Sequence, residues 1–197
     1  DVDMLKTLPR RELASGWAEA IKHGLITDES LFSIFERQSV AIMGLDTTLT
    51  DEVIKRSVRV KAGIVSRDER ETLGLRILLN YGHTIGHAIE SATSYEKYLH
   101  GEAVSIGMMG AALISKEMGL LSSEEVQRLQ GVLENYDLPV KFEKLECDDI
   151  LSAMTLDKKI SDRAVRWVLL DGIGKAVVRT DVPHHTVRKV LENLRVD

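Results

Sequence analysis

Apolar residues recur along most of this chain at helical spacing, with strand-like alternation only near the end. From Arg10 to Ile26, Leu13, Trp17, Ala20, Ile21 and Leu25 fall near one face, while Glu19, Lys22 and His23 lie on another. The same reading predicts a helix from Ser30 to Ile42 and another from Asp51 to about Ser66, whose apolar set is Val53, Ile54, Val58, Ile64 and Val65. A charged loop follows from Arg67 to Leu73, and helical signals resume from Leu75 to Ser91. Gly101 to Gly119 is apolar nearly all round and reads as a buried helix or an interface. Ser122 and Glu125 form a capping box for a helix reaching Tyr136, and Asp148 to Lys159 is a further helix. Ala164 to Leu170 and Lys175 to Arg179 read as two short strands joined through Asp171-Gly172-Ile173-Gly174. Pro183 opens a last helix ending at Leu194. The expected fold is a mainly α, multi-helix single domain over residues 1–197 with a short β-hairpin near its C-terminus.

Composition narrows the class. With 44% hydrophobic and 29% charged residues over 197 positions, the chain can bury a sizeable core. Its longest apolar stretch, Ile106 to Ser115, is broken by glycines and too short to span a bilayer, which argues against a membrane protein. A formal charge of −5 leaves no general basic surface for nucleic acid, so phosphate binding would need a local cluster of Lys, Arg and His. Cys147 is the single cysteine, so no internal disulfide forms and a reducing, cytoplasmic setting is expected. No Gly-x-Gly-x-x-Gly turn stands between a strand and a helix, so no dinucleotide site is expected within the chain. The opening Asp1-Val2-Asp3-Met4 reads as the tail of a linker, which predicts a fragment.

The candidate chemistry lies in the histidines. His83 and His87 are one helical turn apart in Gly-His-Thr-Ile-Gly-His-Ala-Ile-Glu, and His100 follows in Leu-His-Gly-Glu-Ala. An i,i+4 pair points two imidazoles the same way, and a ligand from a nearby segment would complete a site for a borderline cation such as zinc. Spacing alone nominates His83, His87 and Glu90, which share a helical face.

Read together with Ser15-Gly16-Trp17-Ala18-Glu19-Ala20-Ile21-Lys22-His23-Gly24, Lys61-Ala62-Gly63, Gly74-Leu75-Arg76 and Asp157-Lys158-Lys159, these motifs resemble the 3-dehydroquinate synthases in order and spacing. The resemblance runs from Leu8 to about Gly174 and is to the C-terminal, metal-binding domain of that fold. It implies a different ligand set, Glu19, His83 and His100, holding zinc or cobalt with coordination positions left open for substrate. It assigns Lys22, Lys61, Arg76, Asn80, His87 and Lys158 to substrate, with Lys159 as the competing choice for Lys158 and Glu71 as an acid near the site. Arg offers a fork for a carboxylate and Lys a compact charge for phosphate oxygens. The implied activity is NAD- and zinc-dependent conversion of a sugar-acid phosphate, 3-deoxy-arabino-heptulosonate 7-phosphate, to 3-dehydroquinate and phosphate in the shikimate pathway. The family's N-terminal NAD-binding domain is expected to be missing here, and the family's homodimer is expected of the full-length protein. The competing readings are another sugar-phosphate cyclase of the same fold, or a module that binds metal and dimerises without turning over substrate.

Overall fold

The computed structural model describes residues 1–70, 74–161 and 165–196, and the side chains of all of these except 155–161. After a 3-10 helix, Val2–Thr7, the chain forms α1 (Arg10–Thr27), α2 (Glu29–Arg37), α3 (Ser39–Met43) and α4 (Thr47–Arg67). A second 3-10 helix, Arg76–Asn80, leads into α5 (His83–Ala92), α6 (His100–Glu117) and α7 (Ser123–Asn135). Then come β1 (Phe142–Glu143), α8 (Cys147–Ser161), β2 (Trp167–Leu170), β3 (Ala176–Arg179), α9 (His184–Leu194) and β4 (Arg195–Val196). The mainly α architecture with its C-terminal hairpin is the one expected.

Local chemistry accounts for where the elements stop. Ser122 and Glu125 close the expected capping box, with Ser122 Oγ accepting from the Glu125 N–H at 3.1 Å and Glu125 Oε2 accepting from the Ser122 N–H at 2.9 Å. The expected helix from Ser30 to Ile42 is two helices, because Gln38 leaves helical geometry at φ −119°, ψ 22° and serves as the end of one and the start of the next. α4 begins four residues before the expected Asp51, since the Asp46 carboxylate accepts from the Leu49 N–H and caps it. On that helix Val53 and Ile64 are buried, but Val58 faces out and is 60% exposed. The expected helix from Leu75 to Ser91 is interrupted at Tyr81-Gly82, where Gly82 sits at φ +80° and redirects the chain into α5.

β2 and β3 pair antiparallel, Trp167 opposite Arg179 through Leu170 opposite Ala176, about a turn in which the Asp171 N–H donates to the Lys175 carbonyl. A second pairing, parallel between β1 and β4, was not anticipated: two residues a side carry no readable alternation.

The central helix is α6, buried on nearly every side as its composition predicts, which makes it core and not an interface. It packs on α1, α5, α7, α9 and β2. Its glycines set the spacing. A Cβ on Gly101 would stand 2.0 Å from the Ser15 carbonyl oxygen of α1, and one on Gly107 would stand 1.9 Å from the Gly82 carbonyl oxygen at the start of α5. Beside α6, Trp17, Phe35 and Tyr136 form an aromatic cluster with ring centroids 5.7 to 6.5 Å apart.

α1 also packs on α4, and there a polar pair is buried: His23 Nδ1 lies 2.6 Å from Ser57 Oγ. Burial, with Lys22 adding to it, pushes the His23 imidazole down to about 4 from its ordinary 6.5.

Two outcomes follow. Gly107→Ala should destabilise the fold by about 3 kcal/mol or more, because backbone must move to admit one methyl, whereas Gly131→Ala in α7, with nothing near its Cβ, should stabilise it by about 1 kcal/mol; urea unfolding of the two variants checks both. Stability should also fall as pH drops from about 6.5 towards 4, because in that window the unfolded chain takes a proton that folded His23 refuses. The urea midpoint is expected to be lower at about pH 4.5 than at about pH 7, and His23→Phe should flatten part of that slope.

Candidate metal centre

Glu19 stands on α1 between Ala18 and Ala20, both buried. One turn on, the buried Lys22 ammonium donates to Glu19 Oε2 at 2.7 Å. Burial alone would raise the Glu19 carboxyl, but Lys22 outweighs it and holds Glu19 below the usual carboxylate range. Burial also pushes the Lys22 ammonium down, with Glu19 opposing. The second carboxylate oxygen, Oε1, is buried and has no hydrogen-bond partner.

His83 opens α5 directly after the Gly82 turn, and its Nδ1 lies 3.2 Å from the Tyr81 carbonyl oxygen. A carbonyl only accepts, so Nδ1 carries the proton and Nε2 presents a lone pair. Burial, with Lys22 adding to it, pushes the His83 imidazole down to about 4, so the ring is neutral at neutral pH. His100 opens α6, and its Nδ1 lies 3.0 Å from Oε1 of the buried Glu90. With Nδ1 turned to the Glu90 carboxylate, Nε2 faces Glu19, the arrangement in which a carboxylate orients a metal-binding histidine.

Three electron-pair donors therefore converge. Glu19 Oε1 is 3.6 Å from His83 Nε2 and 3.9 Å from His100 Nε2, and the three atoms lie within 4.8 Å of one another. A carboxylate oxygen and two imidazole nitrogens turned towards one another are a donor set that a cation can bind together. Ligands about 2.1 Å from a tetrahedral zinc would be separated by about 3.4 Å, and the two distances from Glu19 Oε1 stand a few tenths of an ångström beyond that. The donor set thus fits a divalent metal of zinc or cobalt type.

The set suggested by spacing alone does not form among the described residues. Glu90 reaches across to His100, and the second convergent group is His87, Glu90 and His100, overlapping the first at His100. The exposed His87 ring flanks the centre, 5.1 Å from the His83 ring and 6.0 Å from that of His100.

The remaining predicted residues lie on several elements. Lys61 is exposed on α4, and its charge acts on both Lys22 and His23. Arg76 and Asn80 are the first and last residues of the second 3-10 helix, which packs on α1 and α4. That helix is fastened by Asp68, 2% exposed, whose Oδ2 accepts from the N–H groups of Leu75 at 2.7 Å and Arg76 at 3.2 Å. Lys158 and Lys159 lie on α8, which packs against α5, but their side chains fall outside the described residues, as does all of Glu71. Sequence reasoning missed Asp68, hidden among the charges of Asp68-Glu69-Arg70-Glu71, and missed Glu90 as the residue that turns His100. The Glu90 contact joins two helices and leaves no local signal.

Comparison with known proteins points the same way. The family model described as 3-dehydroquinate synthase C-terminal matches residues 16–160. Among curated relatives, the 3-dehydroquinate synthase of Thermodesulfovibrio yellowstonii is 42% identical over 97% of this chain and 53% of its own length, and that of Nitrosomonas europaea is 46% identical over 93% and 49%. The chain therefore spans about half the length of the curated relatives it matches. Among solved structures, 2-epi-5-epi-valiolone synthase from Streptomyces hygroscopicus, with NAD+ and Zn2+ bound, superposes with a TM-score of 0.90 at 28% identity, covering 98% of this chain and 54% of that one. A 2-deoxy-scyllo-inosose synthase complexed with carbaglucose-6-phosphate, NAD+ and Co2+ gives 0.79 at 26% identity, covering 98% and 55%. The matched span contains the helices that bring Glu19, His83 and His100 together, and the chain belongs to the family of 3-dehydroquinate synthase C-terminal domains.

Proposed function

We propose that this chain is the metal- and substrate-binding part of a 3-dehydroquinate synthase, with Glu19, His83 and His100 as the ligands of a divalent metal, zinc or cobalt. The observation that carries this reading is the convergence of three donor atoms, two imidazole nitrogens and the unpartnered Glu19 Oε1. Two imidazoles and one carboxylate leave positions open, so the bound metal would supply an electropositive anchor for neighbouring hydroxyls of a sugar substrate.

The protein's own residues do the rest. Lys22 keeps Glu19 ionised, and with Lys61 and Arg76 it faces the carboxylate and hydroxyls of 3-deoxy-arabino-heptulosonate 7-phosphate. His87, Asn80 and Lys158 hold the phosphate that leaves as 3-dehydroquinate forms. Such a spread of cations fixes both ends of a doubly anionic substrate and sets its reacting carbons in place. NAD is bound mainly by a nucleotide-binding domain contributed from outside these residues, which hold no Gly-x-Gly-x-x-Gly turn. The structures with NAD+ and a metal bound support the same cofactor pair. As a biosynthetic lyase with a single buried free cysteine, the protein would work in the cytoplasm, as a homodimer in its full-length form. No described helix is long and apolar enough to cross a membrane.

A sister cyclase acting on a neutral sugar phosphate is the second reading, favoured by the two solved neighbours. The presence of both Arg76 and Lys61 argues for a substrate that carries a carboxylate.

Joined to its nucleotide domain, the protein is expected to release phosphate from 3-deoxy-arabino-heptulosonate 7-phosphate with NAD and zinc, while this chain alone binds zinc without turnover. No release from the joined protein would shift the assignment to a sister cyclase. Arg76→Ala should raise KM with metal content unchanged, and loss of metal would contradict its assignment to substrate. Glu90→Gln should weaken metal binding by roughly 10- to 100-fold through misorientation of His100, read by competition with a chelating dye.

A further inference from the structure

His23 and Ser57 belong to no part of the site described above, yet each stands one helical turn from a residue that does. His23 follows Glu19 by four positions on α1, and Ser57 precedes Lys61 by four positions on α4. Their hydrogen bond, 2.6 Å from Nδ1 to Oγ, lies in the packed seam, with His23 5% and Ser57 9% exposed. Among the described residues the other polar tie at this seam is the ion pair of Asp28, the residue that ends α1, with Arg56, and it is partly exposed.

An apolar pair would hold two helices together as firmly without leaving a nitrogen stranded. His23 Nε2 is buried and has no hydrogen-bond partner, which is a standing cost. What an imidazole–hydroxyl contact adds is direction: apolar side chains tolerate sliding and rotation, whereas a short buried hydrogen bond fixes one register. The register fixed here is that of Lys61 against the Glu19–Lys22 pair.

We propose that the His23–Ser57 hydrogen bond is a positioning strut, which sets Lys61 at the working distance from the metal centre and so governs how tightly the site holds its carboxylated sugar phosphate, not how tightly it holds metal. The inference rests on the reading of Lys61 as a substrate ligand.

The test uses cobalt-loaded protein without NAD, so that nothing turns over, and measures two quantities: cobalt affinity with its visible absorption, and the affinity for 3-deoxy-arabino-heptulosonate 7-phosphate by calorimetry. Lys61→Ala should weaken sugar-phosphate binding by roughly tenfold or more, the usual worth of a charged hydrogen bond. Ser57→Ala, a small change in a helix that favours alanine, should give a loss approaching that of Lys61→Ala, and Ser57→Thr, which keeps the hydroxyl, should restore binding. The double variant should bind no more weakly than Lys61→Ala alone, and cobalt affinity and absorption should be unchanged throughout. Additive losses, no loss in Ser57→Ala, no recovery in Ser57→Thr, or weakened cobalt binding would each overturn the strut. If Lys61→Ala itself binds as the unmodified protein does, the assignment of Lys61 to substrate fails first and the strut falls with it.

Discussion

The approach of α6 to α1 and α5 is the constraint on which everything else depends. Side chains ordinarily hold packed helices about 8 to 10 Å apart, and a side chain on α6 would keep its neighbours at that spacing. Gly101 and Gly107 remove the obstacle at two points, letting α6 touch the Ser15 carbonyl on one side and the Gly82 carbonyl on the other. Both contacts lie near the ends that carry ligands: His100 is next to Gly101, and His83 is next to Gly82. Backbone-to-backbone packing thus transmits the positions of three helices directly to three donor atoms.

The surroundings of this cluster hold each donor in place. Lys22 neutralises one carboxylate oxygen and leaves the other bare. Tyr81 and Glu90 occupy the far nitrogens of the two imidazoles, so neither ring can turn its N–H into the centre without breaking a hydrogen bond. The folded chain therefore already turns these donor atoms towards one another.

Much of the fold was legible because long amphipathic helices announce themselves. The all-round apolar α6, the Ser122–Glu125 box and the hairpin about Gly172 and Gly174 each carry a local signature. What escaped in the helix boundaries was local but weakly marked. The break at Gln38 obeys no residue-type rule, and the Asp46 cap is one Asp among several in a polar stretch. For the site, helical spacing brought His83 and His87 together correctly, and they do adjoin. It could not see Glu19 arriving from a helix more than sixty positions away. That residue came from the family resemblance, since only the close packing of α1 on α6 makes it a neighbour.

The turn at Tyr81-Gly82 divides the region into two separately anchored parts. Ahead of it, Arg76 and Asn80 ride on a short helix tied to Asp68; behind it, His83 rides on α5, tied to α6. Changes in one part need not propagate into the other. A lineage could alter the short helix, by drift in a handful of positions, while the helices that carry Glu19, His83 and His100 stay as they are. Retention of this fold at 28% identity, in a protein named 2-epi-5-epi-valiolone synthase, is what such a separation would leave behind.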